Sequence, residues 1–152
     1  MARITKIVAL AALAGAMSFS QAYAAAATYD EKDVIEYRER IMKTLQEQTA
    51  IIGMMASTAI PSDTLPATAQ AIALAAKIAG KSFEQKVPGG EAKPEVWAKY
   101  DDFSKRMKTF AEKSQAMSDA ATKGATLTEI TELLVDALPC KDCHDLYRAE
   151  KK

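Results

Sequence analysis

Cys140-Lys141-Asp142-Cys143-His144, close to the C-terminus, organises the chain. Two thiols three positions apart, followed at once by an imidazole, are the groups that covalent haem attachment needs. Each thiol adds to one vinyl group of a porphyrin, and the adjacent histidine ligates the iron. On a helix, positions i and i+3 share a face, so both thiols reach one edge of a flat ligand. The sequence holds 2 cysteines and 1 histidine, and all of them are here. Other readings fit less well. A structural zinc site takes four Cys or His ligands, and this chain offers fewer, crowded into one stretch. A thioredoxin-like redox pair belongs beside a βαβ pattern, which the sequence lacks. A plain Cys140–Cys143 disulfide leaves His144 unexplained.

Working back from the motif, Ile130, Leu133, Leu134, Ala137 and Leu138 carry a helix into it. Thr126 with Glu129 predicts a capping box at the start of that helix, and Pro139 predicts a lost hydrogen bond and a kink in the helix just before Cys140. A preceding helix opens at Pro94-Glu95, repeats Val96, Tyr100, Phe103, Met107, Phe110, Ser114 and Met117 in steps of four and three, and ends at Gly124. Thr64 and Pro66 open another, whose face of Leu65, Ala69, Ile72, Ala76 and Ala79 is small-sided. The segment Gly80 to Lys93, with Pro88-Gly89-Gly90, reads as a loop. The first helix spans Glu31 to Ala59, with Pro61 as its stop and a seam of Val34, Arg38, Ile41, Leu45, Gln48, Ile52 and Met55. Arg38 and Gln48 are out of place on that seam. Met54, Met55, Met107 and Met117 read as core. With no alternating strand pattern, the fold class is all-α, an antiparallel up-down-up-down four-helix bundle.

Residues 1–24 read as a cleaved signal peptide. Arg3 and Lys6 are its basic region, Ile7 to Met17 its apolar run, and Ala22-Tyr23-Ala24 its cleavage site. The run is too short to span a bilayer. Export to the periplasm suits the motif, because c-type haem is attached outside the cytoplasmic membrane. Cleavage leaves one domain, 25–152, and removes two of the 20 basic residues, so the mature balance is formally −2. Such neutrality argues against nucleic acid, which needs a basic face.

An up-down-up-down order brings the start of the first helix and the end of the last to one end of the bundle. At about 1.5 Å per residue, Met42 and His144 stand at similar levels there. A side chain at or near Met42 is therefore placed to face the iron opposite His144.

These residues give the chain a family likeness. It resembles the class II c-type cytochromes, cytochrome c′ and its low-spin c-556 relatives, over essentially the whole mature length. The likeness rests on Tyr37-Arg38 with a distal-position residue four later, on Lys93-Pro94-Glu95-Val96-Trp97, and on the Cys-x-x-Cys-His-Asp-x-Tyr-Arg run from Cys140 to Arg148. Pro139 departs from the family pattern. The resemblance implies one haem c, thioethers at Cys140 and Cys143, and the proximal bond at His144. It brings Arg38 to a haem propionate, where a planar fork suits a carboxylate, and Arg148 to the proximal pocket. A surface cation is the plain alternative for Arg38, and a cation favoured by the helix dipole is the one for Arg148. Trp97 and Tyr100 either pack near the ring or belong to the ordinary core.

Met42 separates two functions. As a second axial ligand it makes a six-coordinate His/Met electron carrier serving redox partner proteins, the first expectation. As a mere filler of an irregular gap it leaves a five-coordinate iron open to nitric oxide or carbon monoxide, the alternative. An enzyme is not expected, since no second histidine is present to act as distal acid or base. The small-sided second helix and the apolar stripe of the first also suit a homodimer, although core burial explains both.

Overall fold

In a computed structural model the described residues are 29–138 and 140–150. The expected signal peptide and Pro139 itself lie outside them. Helix α1 is Glu31–Ala56, α2 Leu65–Lys81, α3 Glu95–Ala98, α4 Tyr100–Thr122, α5 Leu127–Ala137 and α6 Cys140–Tyr147. Four of these, α1, α2, α4 and α5, pack in a closed ring in which each touches the next and α5 returns to α1. This is the antiparallel four-helix bundle that the periodicity predicts. Short α3 and α6 lean on each other and cap one end. Among the described residues only isolated β-bridges occur, Gly89 to Ala92 and Ala92 to Arg148.

The apolar seams become the core. Ile52, Ala69, Ile72, Ala76, Ala79, Met117 and Ile130 are fully buried. Gly80 falls inside α2 rather than in the loop, and a Cβ there would stand 3.7 Å from the Met107 Cβ of α4. The small-sided α2 face thus allows its neighbour a close approach.

Four departures from the sequence reading have local causes. Helix α1 stops three residues early, at Ala56, because Thr58 adopts φ 59° and the Thr58 and Ala59 N–H groups donate to the Met55 and Met54 carbonyls. That is a Schellman cap, so Pro61 follows the stop rather than causing it. Met54 is 45 % exposed and not core. Thr64 occupies the N-cap of α2 but makes no side-chain capping bond. The single helix expected from Pro94 is broken at Lys99, where φ is −122° and ψ 41°. In an unbroken helix Trp97 and Phe103 would point roughly 120° apart. With the break, both rings meet Phe83, at 6.1 and 4.8 Å between centroids.

Before Cys140 the expected kink is a full break, which divides the expected fourth helix into two. Helix α5 ends at Ala137, and Leu138 has φ −113° and ψ 69°, outside the helical region that a following proline disfavours. Cys140 then opens a separate helix, α6.

Candidate functional site

Helix α6 is anchored through its last residue. Tyr147 is the one buried residue of α6. Its ring meets Phe103 edge-on at 5.2 Å, and its hydroxyl donates to Asp102 Oδ2 at 2.5 Å. The segment before α3 holds the same end of α6. The Lys93 N–H donates to the Tyr147 carbonyl at 2.9 Å, and the Ala149 N–H donates to the Glu91 carbonyl at 2.8 Å. Lys93 Nζ donates to the Asp145 carbonyl at 2.8 Å, and Arg148 Nε pairs with Glu91 Oε2 at 2.9 Å. Arg148 therefore clamps α6 to the 91–93 segment.

The motif itself lies on the free part of that helix. Cys140 is exposed, Cys143 and His144 are half-buried, and neither thiol is in a disulfide. Burial pushes both thiols above the ordinary cysteine value, although the nearby Arg106 charge partly opposes this at Cys143. A thioredoxin-type nucleophile has the opposite shift. Burial, and then the Arg148 charge, hold His144 below its usual range. Its imidazole is neutral near pH 7 and keeps a lone pair for a metal.

Arg38 is not the surface cation of the plain reading. It is 3 % exposed. Its guanidinium donates to the Val87 carbonyl at 2.6 Å and the Gly89 carbonyl at 3.4 Å. It lies 5.0 Å from the Phe83 ring centroid and 5.3 Å from that of Trp97. Gly89 and Gly90, with φ 121° and 61°, carry the loop so close to α1 that a Cβ on either would strike Ile35. Arg38 and Arg148 thus reach the 87–92 segment from α1 and α6. Met42, one turn beyond Arg38, is half-buried and packs against the core. The start of α1 and the motif share one end of the bundle, as the up-down-up-down order requires. A surface groove of about 480 Å³ starts at the other end, beside Ala56 and the start of α5, and runs along α5 to Val135.

The donor set fits a haem c. Two protonated thiols at i and i+3 and a neutral imidazole occupy a helix that buries one side chain of its own, and Leu146 beside them is 45 % exposed. Trp97 Nε1, next to Arg38, is buried without a hydrogen-bond partner. The Tyr147–Asp102 bond and the Phe83 platform were not singled out in the sequence. Tyr147 could have been found, since it stands within the C-terminal run, whereas Asp102 and Phe83 carry no local signal.

Comparison with known proteins agrees. The family model described as Cytochrome C' matches residues 33–148. A cytochrome c' of Pararhodospirillum photometricum is 32 % identical over 75 % of this chain and 94 % of its own length. Cytochrome c-554 of Cereibacter sphaeroides is 28 % identical over 88 % and 94 %. Among solved structures, cytochrome c prime from Shewanella frigidimarina superposes with a TM-score of 0.73 at 26 % identity, over 82 % of this chain and 100 % of that one. A ferrous variant of cytochrome c prime from Alcaligenes xylosoxidans with bound NO gives 0.73 at 21 % identity, over 82 % and 100 %. With the haem-attachment run inside the matched span and the bundle reproduced, the chain belongs to the cytochrome c′ family, the class II c-type cytochromes with covalently attached haem.

Proposed function

We propose that this chain is a five-coordinate haem c protein that binds a diatomic gas, nitric oxide or carbon monoxide. The observation that carries this is its membership of the cytochrome c′ family across 33–148. The reading therefore favours the alternative over the six-coordinate His/Met carrier expected first from the sequence. Two further observations support it. A structural relative from Alcaligenes xylosoxidans has NO bound, and Met42 already packs against the core, as a gap-filling thioether does. When bound, haem c supplies a redox-active iron with a position open to a small ligand.

The chain's own residues do the rest. Cys140 and Cys143 would tether one haem through thioethers, and the neutral His144 imidazole would bind its iron. Met42, half-buried and packed against the core, would fill space beside the group and help exclude water without ligating the iron. Tyr147 and Arg148 hold α6 against the bundle, so that the tether and the proximal ligand move as one unit. We also assign the mature protein, 25–152, to the periplasm, with redox partner proteins, a possible homodimer and no catalytic residues.

One spectrum tests this. The oxidised holoprotein is expected to be high-spin, and unchanged in Met42→Ala. A sulfur-to-iron charge-transfer band that disappears in Met42→Ala would make the protein an electron carrier instead.

A further inference from the structure

Tyr147 carries more chemistry than an anchor needs. It is buried, and on α6 it stands one turn beyond both Cys143 and His144, at i+4 and i+3. Its hydroxyl donates to Asp102 Oδ2 at 2.5 Å, and Arg106 Nε donates to the same oxygen at 2.7 Å. These two bonds, Tyr147 first, hold the Asp102 carboxyl below its ordinary range, so it is an anion near pH 7. The same bond, and then burial, raise the Tyr147 phenol above its usual value, so its proton is in place. Asp102 is exposed and lines, with Lys99, Arg106 and Leu146, a cleft of about 250 Å³. A buried phenol thus joins the haem-bearing helix to a base that meets solvent. Loss of an electron turns a phenol into a strong acid, so a tyrosine gives one up near neutral pH only where its proton has an acceptor. The neighbouring oxidisable rings lack one. Tyr100 donates to the Phe83 carbonyl at 3.4 Å, which is no base, and Trp97 Nε1 is buried without a partner among the described residues.

We propose that Tyr147 is a redox-active tyrosine, with Asp102 as its proton acceptor, which carries oxidising equivalents away from the haem. The inference rests on the open-iron reading above and adds hydroperoxides, hydrogen peroxide being the simplest, as a second class of reactant. A hydroperoxide takes two electrons from the haem group as its O–O bond breaks. Tyr147 returns one of them, and its phenolic proton passes along the existing bond to Asp102 Oδ2. Tyr147 is oxidised to a neutral phenoxyl, the haem group is reduced by one electron, and the proton is left on a carboxyl that faces the cleft. A one-electron donor of the ascorbate kind, entering the cleft, restores the phenol as Asp102 returns the proton. Tyr147 is thus a way out for the oxidation and not a residue that binds the peroxide.

The test mixes ferric holoprotein with hydrogen peroxide, follows the Soret band by stopped flow, and reads freeze-quenched samples by electron paramagnetic resonance. A tyrosyl signal is expected, narrowed when the protein carries ring-deuterated tyrosine. It should be lost in Tyr147→Phe, which keeps the edge-on contact with Phe103. In Asp102→Asn, which keeps an acceptor oxygen but is a far poorer base, the yield should fall at least about tenfold, as loss of a positioned base does. The Lys93 and Ala149 amides, which report the anchorage of α6, should stay protected from exchange in that variant. A parent-like tyrosyl yield in either variant would overturn the proposal, as would a parent whose Soret band responds to peroxide without any tyrosyl signal. A fall in Asp102→Asn that comes with loss of amide protection would also overturn it, by assigning Asp102 to anchoring alone. A Soret band that does not respond to peroxide would instead overturn the open-iron reading, and the relay with it.

Discussion

Replacing Tyr147 tests whether the haem-bearing helix is held by one side chain. Tyr147 is 4 % exposed and is the buried residue of α6. Removing only its hydroxyl, in Tyr147→Phe, leaves the edge-on contact with Phe103 and deletes the bond to Asp102. One hydrogen bond of this kind contributes about 1 kcal/mol net. Tyr147→Ala also removes the ring, and loss of a buried aromatic costs about 3–5 kcal/mol. Part of that loss falls on α6 locally, because the rest of its anchorage is backbone and surface bonds to residues 91–93. The assay is urea unfolding of the holoprotein followed by Soret and far-ultraviolet circular dichroism, with amide exchange read at Lys93 and Ala149. We expect Tyr147→Ala to release those two amides and weaken the Soret signal before the bundle unfolds. Acid sharpens the test. The Tyr147 hydroxyl, and next the Arg106 guanidinium, hold the Asp102 carboxyl below its ordinary range. Its contribution is therefore present above the unfolded carboxylate value and is lost as pH falls through the lower folded one. In Tyr147→Phe that loss should be smaller and complete at higher pH. Unchanged protection of Lys93 and Ala149 in Tyr147→Ala would refute the anchoring argument.

Three other perturbations follow from the same packing. Thr126→Ala removes the hydroxyl that accepts from the Glu129 N–H at the start of α5 and should cost about 1 kcal/mol by thermal melting. The Glu129 carboxyl is lowered by the Thr126 backbone N–H and then by its hydroxyl, so the cap should fail as pH falls through that lowered value. Gly90→Ala forces a side chain into φ 61° and sets its Cβ 2.6 Å from both Ile35 Cγ2 and Glu39 Oε1; a loss of about 1–3 kcal/mol is expected in denaturant titration. Changing both Cys140 and Cys143 to Ala should leave a colourless chain without a sharp thermal transition. Burying about 400 Å² of porphyrin contributes on the order of 10 kcal/mol at most, comparable to the whole stability of a small domain. A melt as sharp as the parent's would contradict that.

The bundle was legible because its helices repeat apolar residues at 3-4 spacing, and such seams have few places to go except a shared core. The proposed haem ligands were legible for a different reason: thiols and imidazole are rare here and occur in one motif. Arg38 was half legible. Its place on the α1 seam marked it as anomalous, but its partners Val87 and Gly89 lie about 50 positions away and offer backbone carbonyls, which any sequence has. The Lys99 break had no Pro or Gly to announce it, since it serves a tertiary demand, the meeting of Trp97 and Phe103 at Phe83. The end of α1 was misplaced because Thr58 takes a left-handed conformation that β-branched residues seldom adopt.

What couples the two halves of the site is the segment from Phe83 to Lys93. Neither α1 nor α6 needs to grip the other strongly, because each grips this segment. Arg38, Ile35 and Glu39 hold one side of it at residues 87–90, and Tyr147, Arg148 and Ala149 hold the other at 91–93. A change in the loop should therefore be felt on both faces of the haem, whereas a change in the groove beside Ala56, at the far end of the bundle, should be felt on neither. Gly90→Ala should accordingly alter the Soret signal as well as stability, and Thr128→Ala, which trims an exposed residue lining that far groove at the start of α5, should leave the Soret signal as it is. If the two variants shift the signal equally, the segment is an ordinary connection and the site's coupling runs through the core.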